Sequence, residues 1–575
     1  MKKIGLKIVM LIVLVSLINY SGFSQNNSNK VSIETAIEIG QKFMPSSSKA
    51  GINAEIKSIS SIKNVNNQDK IHVLNFVDGG FILISGDNRA VPVLAFADEG
   101  EFDFDTNIAP ATKMWINQYL KQLDMIEENN YQASPQIEKL WEDMLSGDYR
   151  SNSKKVDQLL QTRWNQDWPY NMFTPEHPEG SHGHTYAGCV ATAMAQIMKY
   201  WEYPDTAKGI INYHWGQYYT VDLNQESYDY SLMPNFFKPN STTEEKEEVA
   251  RLMFHCGIAV NMNYGYESSG SQTAFAWEAF KSNFKYRSGS YFIYKEEMSD
   301  AEWKFKLKYD LDLGRPIMYA GVSEDEGGHA FVCDGYKDTS FFRFNWGWGG
   351  YKDGYFYLDN INPQTEFPIA QSAIFELAPY GADFCKNDIV MVLPSYSFDD
   401  GSGPNLYANN TNCSWLINPD MKDADFLRLS FNRFDLAKGD TLTIWKGNTE
   451  NGLLKLVGKY TGSNNPGELT TNSNKFYLEF TTDGQGQAQG FQAHYETVVL
   501  GVNENTNNPF RVYPNPTSSI LQLEGLQTEN ITIMDISGKT VLNANVSGKS
   551  IDVSNLKPGL YIIKADNQFA KFIKE

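Results

Sequence analysis

The chain has little positive charge, no apolar run of membrane-spanning length and few histidines. It contains 49 lysines and arginines but 69 acidic residues. The resulting net charge of -20 argues against nucleic acid as a partner, because phosphates would be repelled. The apolar run near the N-terminus, Ile8 to Ile18, is too short to span a bilayer, and no other stretch is apolar enough. No cysteine follows that run, so we expect no lipid anchor there.

The N-terminus has the layout of a cleavable signal peptide. Lysines at positions 2, 3 and 7 precede the apolar run, and the small residues Ser21, Gly22 and Ser24 follow it. This order is typical of export signals, so we predict a signal peptide over residues 1–24 that is cut near Ser24. The remaining length is enough for about four domains of roughly 150 residues each.

Cys189 differs from the other cysteines because a glycine and a patterned helix flank it. Gly188 precedes it, and apolar residues follow at the spacing of one helix face, at Val190, Met194, Ile197, Met198 and Trp201. The cysteine therefore begins a helix, where unpaired N–H groups and the dipole favour an anion. We expect a depressed thiol pKa, in the range of roughly 3.5–7.5, and hence a nucleophile. Cys256 and Cys333 lie in apolar runs and fit buried structural roles.

His329 is the best partner for that thiol among the eight histidines. It follows Gly327 and Gly328 and opens a run of strand-forming residues, which would hold it on a rigid edge beside open space. His182 and His184 lie closer to Cys189 in sequence and remain rival bases or a metal pair. No cysteine or carboxylate at metal-ligand spacing accompanies them, so we expect neither a metal nor a cofactor.

The remaining parts of a hydrolytic site have weaker signals. Asn345 and Trp346 end the strand that follows His329, and antiparallel order brings the end of one strand beside the start of its neighbour. Either side chain can then lie against the imidazole, whereas Trp348 fits a core tryptophan cluster. The amide of Gln166 can join the Cys189 N–H as a donor to an oxyanion.

Four stretches together carry a family resemblance. In chain order they are Trp164-Asn165-Gln166 with Pro169-Tyr170-Asn171, Gly188-Cys189-Val190-Ala191-Thr192-Ala193, Gly327-Gly328-His329-Ala330-Phe331 and Asn345-Trp346-Gly347-Trp348. Over about residues 157–379 they resemble the streptopain family of papain-like cysteine peptidases. The resemblance implies Cys189 as nucleophile, His329 as general base and acid, and Gln166 as oxyanion donor. Papain has its asparagine and tryptophan two places apart, so the resemblance leaves open whether Asn345 or Trp346 orients the histidine.

The resemblance also implies a substrate cleft lined by Ser269, Gly270 and Gly328, with a preference for a hydrophobic residue one place before the scissile one. Residues 75–89 resemble the prodomain of streptopain-like peptidases. This implies an α+β prodomain over residues 25–150 that blocks the cleft until it is cut away; a permanent structural domain is the alternative. The polar and basic segment 151–155 is the predicted cleavage linker. The elements predicted in this domain are a helix at Val31–Phe43, strands at Ile71–Val77, Phe81–Ser85 and Val91–Ala97, and helices between Thr112 and Met144.

Short strands and turns after residue 379 predict two further β domains. Residues 412–417 and 434–447 resemble a CUB-type β-sandwich, assigned to residues 383–497, and such modules bind proteins or glycans. Cys385 and Cys413 belong to it and are expected to form a disulfide in an exported chain.

The last domain begins after the Asn-rich linker 503–509. Val512-Tyr513-Pro514-Asn515-Pro516 and the strand-like runs behind it resemble the C-terminal sorting domain of the type IX secretion system, over residues 510–575. This implies export across the outer membrane, followed by removal or surface attachment. A small structural β domain is the alternative. The predicted runs are Ile520–Leu523, Ile531–Asp535, Leu560–Ala565 and Lys571–Ile573.

The sequence thus predicts a multidomain α+β protein in which a papain-like cysteine peptidase domain follows an α+β prodomain and precedes two β-sandwich domains. The expected function is that of a secreted or surface-attached cysteine endopeptidase made as a zymogen. Its expected partners are protein or peptide substrates, its own prodomain and the type IX secretion machinery, without a transmembrane span after signal removal. Two alternatives remain open: a surface protein that binds proteins or glycans through the CUB-like module, and another thiol acyl transfer such as transglutamination.

Overall fold

The computed structural model of this chain describes residues 29–47, 55–104, 108–149, 155–499 and 511–575. Short breaks within these ranges fall at 324, 326, 339, 368, 380–381, 383–388, 403–404, 422–423, 448–452, 526–529, 536–538, 547–548 and 566–567. The predicted signal peptide, the linker residues 151–154 and the Asn-rich segment 503–509 lie outside the described residues.

Residues 29–149, here called the N-terminal unit, form an α+β unit close to the predicted one. A proline at the first position begins each of its last two helices, because that position needs no backbone donor. The largely exposed strand β1 escaped the sequence prediction because its serine-rich sequence has no apolar alternation. The elements are α1 Ile33–Ser47, β1 Ile56–Lys63, β2 Asp69–Phe76, β3 Phe81–Ser85, β4 Val93–Ala97, α2 Pro110–Glu128 and α3 Pro135–Ser146.

Residues 155–379, here called the central unit, contain all the remaining helices of the described residues. The helix predicted behind Cys189 is confirmed as α4, and the strand predicted to open at His329 begins two residues earlier. The elements are β5 Glu176–Ser181, α4 Cys189–Trp201, β6 Ile210–Trp215, β7 Gln217–Asp222, α5 Thr243–Ala259, α6 Thr273–Ser282, β8 Tyr291–Tyr294, α7 Asp300–Asp312, β9 Ile317–Ser323, β10 Gly327–Lys337, β11 Phe341–Asn345, β12 Gly354–Tyr357 and β13 Ala370–Phe375.

One ten-stranded sheet runs through both units in the order β1-β2-β3-β4-β12-β11-β10-β9-β13-β8. The junction is an antiparallel pairing of β4 with β12, in which Phe96 lies opposite Tyr355 and Ala95 opposite Phe356. Strand β10 lies inside this sheet, and its successive side chains point alternately into two hydrophobic cores. Phe331 and Cys333 face a core shared with the N-terminal unit, while Ala330 and Val332 face a core built around α4 and α5.

Two β-sandwiches complete the chain, which confirms the predicted fold class at its C-terminal end. The first pairs a five-stranded sheet with a four-stranded one, and the second pairs a three-stranded sheet with a four-stranded one. Their strands are β14 Ile389–Met391, β15 Ser395–Asp399, β16 Asn412–Ile417, β17 Phe426–Asp435, β18 Thr441–Gly447, β19 Leu454–Tyr460, β20 Leu469–Thr471, β21 Phe476–Thr481 and β22 Gly490–Val498, then β23 Arg511–Tyr513, β24 Ile520–Glu524, β25 Asn530–Asp535, β26 Thr540–Asn545, β27 Ser550–Asp552, β28 Gly559–Ala565 and β29 Gln568–Lys574.

No helix in the described ranges is both long enough and apolar enough to cross a membrane.

Candidate active site

Cys189 is the first residue of α4, as the sequence predicts. Gly188 caps the helix at a φ of 92°, in the left-handed region that favours glycine. A Cβ at this position would lie 2.7 Å from the Met262 side chain and 3.2 Å from the Ser269 carbonyl oxygen. The turn into the helix therefore needs a glycine, and it points the Cys189 thiol toward the neighbouring strand β10.

The thiol of Cys189 is half-buried and lies against β10. The backbone N–H of Ala330 donates to its Sγ at 3.5 Å. Burial raises the pKa of the Cys189 thiol, and it outweighs the opposite effect of the backbone N–H groups of Ala330, Val190 and Cys189 itself. The depressed pKa expected for the Cys189 thiol is therefore not found in this structure, which contains the N-terminal unit. The helix start supplies the expected donors, but desolvation favours the neutral thiol more strongly.

His329 lies near the start of β10, opposite Gly321 of β9, and its side chain is half-buried. Both His329 and Cys189 line one cavity of about 300 Å³. The cavity lies between the central unit and the first turn of α2, and Ala109, Pro110 and Ala111 of the N-terminal unit form part of its wall. The two predicted chemical groups thus share a site that the N-terminal unit partly covers.

Gln166 also lines this cavity and is buried. Its side-chain Nε2 donates to the Gly347 carbonyl at 3.5 Å, a long contact that leaves the amide available for a shorter one. Its backbone is fixed on both sides, because its carbonyl accepts from the Ala187 N–H at 2.8 Å and its N–H donates to Asn165 Oδ1 at 2.8 Å. The segment before α4 therefore holds an amide donor beside the thiol.

Asn345 and Trp346 differ in how they relate to the cavity. In the β10–β11 register, Asn345 lies opposite Val332, three residues beyond His329. Its Oδ1 accepts from Gln196 Nε2 at 3.1 Å and from the Gly347 N–H at 3.0 Å, and its Nδ2 donates to the Thr162 carbonyl at 2.9 Å. The Asn345 amide thus ties α4 to the strand ends.

Trp346, by contrast, is one of the residues that line the cavity. Its Nε1 donates to the Lys352 carbonyl at 2.9 Å, and its backbone N–H donates to Asp353 Oδ1 at 3.0 Å. Both contacts hold the ring in place at the edge of the site. Trp348 also lines the cavity and is only half-buried. It packs against the predicted core, but it also contributes to the cavity wall.

The predicted cleft residues Ser269, Gly270 and Gly328 all line the cavity. Ser269 Oγ accepts from the Gly265 N–H at 3.0 Å, and Gly270 exchanges two backbone hydrogen bonds with Asn263 at 3.1 and 2.9 Å. These contacts fix the loop as a rigid wall opposite β10. Sequence reasoning missed two further wall residues, Tyr186 and Glu267, which only neighbour the recognised motifs.

The rival bases lie elsewhere. His182 and His184 stack on Trp168 at ring distances of 4.9 and 6.3 Å, outside the residues that line the cavity. Within the described residues no group of three or more histidine, cysteine or acidic side chains is placed to hold a metal ion. Cys256 and Cys333 are buried, and burial raises the pKa of each thiol far above its ordinary range.

Cys413 is disulfide-bonded in the first C-terminal sandwich. Its predicted partner, Cys385, lies outside the described residues, so the pairing of the two stays a prediction.

Four family profiles match consecutive parts of the chain. The Spi protease inhibitor profile matches residues 28–123, and the peptidase C10 family profile matches residues 164–356. The CUB domain profile matches residues 385–495, and that of the secretion system C-terminal sorting domain matches residues 511–575.

Individual proteins match over long stretches as well. Streptopain of Streptococcus pyogenes is 30% identical over 403 residues, which cover 63% of this chain and 94% of streptopain. The thiol protease/hemagglutinin PrtT of Porphyromonas gingivalis is 32% identical over 297 residues, 49% of this chain and 33% of PrtT. Among solved structures, a prointerpain A fragment of Prevotella intermedia has a TM-score of 0.47 and 28% identity, covering 56% of this chain and 98% of the fragment.

Proposed function

The chain belongs to the streptopain family, peptidase C10, and on that premise we propose that Cys189 and His329 perform its peptide hydrolysis. The protein is a cysteine-type endopeptidase with a papain-like peptidase domain, made as a zymogen with an inhibitory prodomain. Its C-terminal sorting domain directs it to a secreted or surface-attached location. The observation that carries the residue assignment is that the thiol of Cys189 and the imidazole of His329 line one cavity.

In the proposed reaction the Cys189 sulfur attacks the peptide carbonyl carbon, and His329 accepts the thiol proton. His329 then donates this proton to the leaving amine as the carbon–nitrogen bond breaks, which leaves an acyl group on the sulfur. A water that gives its proton to His329 hydrolyses this thioester and restores the thiol. General acid–base assistance of this kind typically contributes about 10²–10⁴ to the rate.

Gln166 is the proposed oxyanion donor, together with the N–H of Cys189 at the helix start. The support is its position in the cavity wall and the length of its contact to Gly347, which a substrate oxygen can replace. Trp346 is the proposed positioning residue for His329, since it lines the cavity together with His329, whereas Asn345 does not. Asn345 supports the site through α4, because its amide binds Gln196, Gly347 and the Thr162 carbonyl.

The substrates are proteins or peptides that lie between β10 and the Ser269 loop. Gly328, Ser269 and Gly270 are the proposed wall residues, and glycines at two of these positions leave room for a peptide backbone. The proposed domains are a signal peptide at 1–24, the prodomain at 25–150, the peptidase domain at 157–379, a CUB-like sandwich at 383–497 and the sorting domain at 510–575. The ranges of the four profile matches support this division.

The test is casein hydrolysis by the processed chain under reducing conditions. Cys189→Ala should abolish hydrolysis, and Gln166→Ala should lower turnover by about 10²–10³, the usual effect of losing one oxyanion donor. Cys256→Ala is the matched control, because this cysteine is buried away from the cavity and should leave hydrolysis in place. Hydrolysis by Cys189→Ala at the wild-type rate would remove Cys189 from the mechanism.

A further inference from the structure

Trp115 of helix α2 is fully buried in an aromatic cage that the peptidase domain supplies. The cage consists of five side chains, at ring-centroid distances from the indole of 4.8 Å for Phe344, 5.2 Å for Phe367, 6.1 Å for Phe331, 6.2 Å for Trp346 and 6.3 Å for Tyr319. Each of these rings belongs to the part of the chain that remains after processing. Loss of the prodomain therefore empties the space that the Trp115 indole fills among these rings.

The cage begins next to His329 on the same face of β10. Side chains two residues apart on a strand point to the same side and are about 7 Å apart, so Phe331 follows His329 along this face. The register places Phe331 opposite Tyr319 and His329 opposite Gly321. A Cβ at Gly321 would lie 2.7 Å from Met114 Cε, so Met114, the residue before Trp115, covers the position beside His329.

The role of His329 in protonating the leaving amine places the substrate residues after the scissile bond near this cage. His329 must reach the nitrogen of the leaving amine to protonate it, so the residues after the scissile bond lie on its side of Cys189. Because Phe331 shares a face of β10 with His329, the cage begins on that same side. Resting on the function proposed above, we propose that the vacated cage is a binding subsite for an aromatic side chain that follows the scissile bond.

The polar contacts of Trp115 indicate which aromatic side chain fits. Its indole N–H donates to Tyr119 Oη at 2.9 Å, within the same helix, and so this partner leaves with the prodomain. The cage contacts the indole through rings in T-shaped and tilted arrangements, and the T-shaped geometry is one that aromatic pairs favour. Phenylalanine, which has no N–H to satisfy, is therefore the preferred occupant.

The test uses the full-length chain after processing, with quenched peptides that share one sequence before the scissile bond. The first, second or third residue after that bond is phenylalanine, tryptophan or alanine. At one of these positions phenylalanine should raise kcat/KM over alanine about tenfold or more, as hydrophobic pockets typically do. Phe367→Ala removes one cage wall and should bring this ratio toward one, whereas the exposed Phe236→Ala should preserve it.

A ratio near one at all three positions, or a ratio that Phe367→Ala leaves intact, overturns the subsite. Cleavage of the alanine peptides that Cys189→Ala abolishes would uphold the proposed function even then. If the wild type cleaves none of the peptides, titration of the processed chain with N-acetylphenylalanine amide tests binding to the subsite independently of catalysis. Saturable quenching of tryptophan fluorescence that is lost in Phe367→Ala supports the subsite, and its absence in the wild type refutes it.

Discussion

The thiol of Cys189 experiences two opposing effects in the precursor. The start of α4 and the Ala330 N–H favour a thiolate, while burial favours the neutral thiol and prevails, so that the pKa of Cys189 is raised. Each pKa unit corresponds to about 1.4 kcal/mol of preference between the two forms. Ala109, Pro110 and Ala111 form part of the same cavity wall, so we expect the prodomain to contribute to this burial.

We predict that removal of the prodomain lowers the pKa of Cys189. In the precursor the raised pKa means that little thiolate exists at neutral pH, so alkylation by iodoacetamide should gain speed only as the pH rises above the ordinary thiol range. In the processed enzyme, water and the His329 imidazolium should stabilise the thiolate and move the profile to lower pH. Alkylation rates from pH 5 to 10, with labelling of Cys189→Ala subtracted, measure both profiles. Coinciding profiles would contradict the prediction.

Chemistry and local pattern were sufficient to predict Cys189 and His329, since each has a local reason for its position, whereas Gln166 had a weak local signal and was assigned through the family resemblance; all three line one cavity. Asn345 shows where such reasoning stops. Its place opposite Val332 depends on strand register, and a register irregularity between Cys333 and Gly335 accompanies the β10–β11 pairing. A sequence pattern does not encode that irregularity, so Asn345 and Trp346 could not be told apart.

Two kinds of contact join the prodomain to the peptidase domain: backbone hydrogen bonds between β4 and β12, and ion pairs between lysines and aspartates. Lys352, whose side chain is fully buried, lies 2.7 Å from Asp103 Oδ1, and Lys337 lies 3.0 Å from Asp98 Oδ2. The sequence predicts β4 but not this contact, because local patterns do not specify which edge strands meet. We therefore expect a cut in the predicted linker to leave a second, non-covalent attachment in place.

Asp103→Asn should shorten the activation of the precursor. Without the carboxylate charge the buried Lys352 ammonium keeps only neutral acceptors, the Asp103 backbone carbonyl among them, at a cost of about 1 kcal/mol to the docked prodomain. The lag before casein hydrolysis begins should fall several-fold. Glu101→Gln is the matched control, since Glu101 pairs with Lys57 at an exposed position within the prodomain, where such pairs contribute about 0–1 kcal/mol. Equal lags in the two variants would refute a role for the pair of Asp103 with Lys352.

The two C-terminal sandwiches relate differently to the rest of the molecule. The CUB-like sandwich shares a core with the peptidase domain, where Tyr396 packs against Phe305 at 5.0 Å and against Tyr309 at 5.4 Å. The last sandwich builds its buried core from residues 521–572 of its own. The sequence predicts both sandwiches from their turns and strand runs, but the shared core depends on a face of α7 that has no distinctive pattern.

Deletion of residues 510–575 should therefore leave folding and catalysis intact and abolish delivery to the cell surface. Thermal unfolding and casein hydrolysis of the processed protein should match those of the full chain. In the native host, or another host with the type IX machinery, the truncated chain should accumulate in the periplasm. Full-length Cys189→Ala is the control for export, since it keeps the sorting domain but lacks activity. Surface display of the truncated chain would refute the sorting role.

The most direct measurement of the central claim is the site of an irreversible thiol-directed inhibitor. The processed chain is treated under reducing conditions with a peptidyl epoxide, and mass spectrometry locates the adduct while residual casein hydrolysis is followed. We predict one adduct per chain, on Cys189, with activity lost in proportion to its occupancy. Full occupancy of Cys189 with undiminished hydrolysis, or loss of activity through an adduct on another residue, would contradict the account.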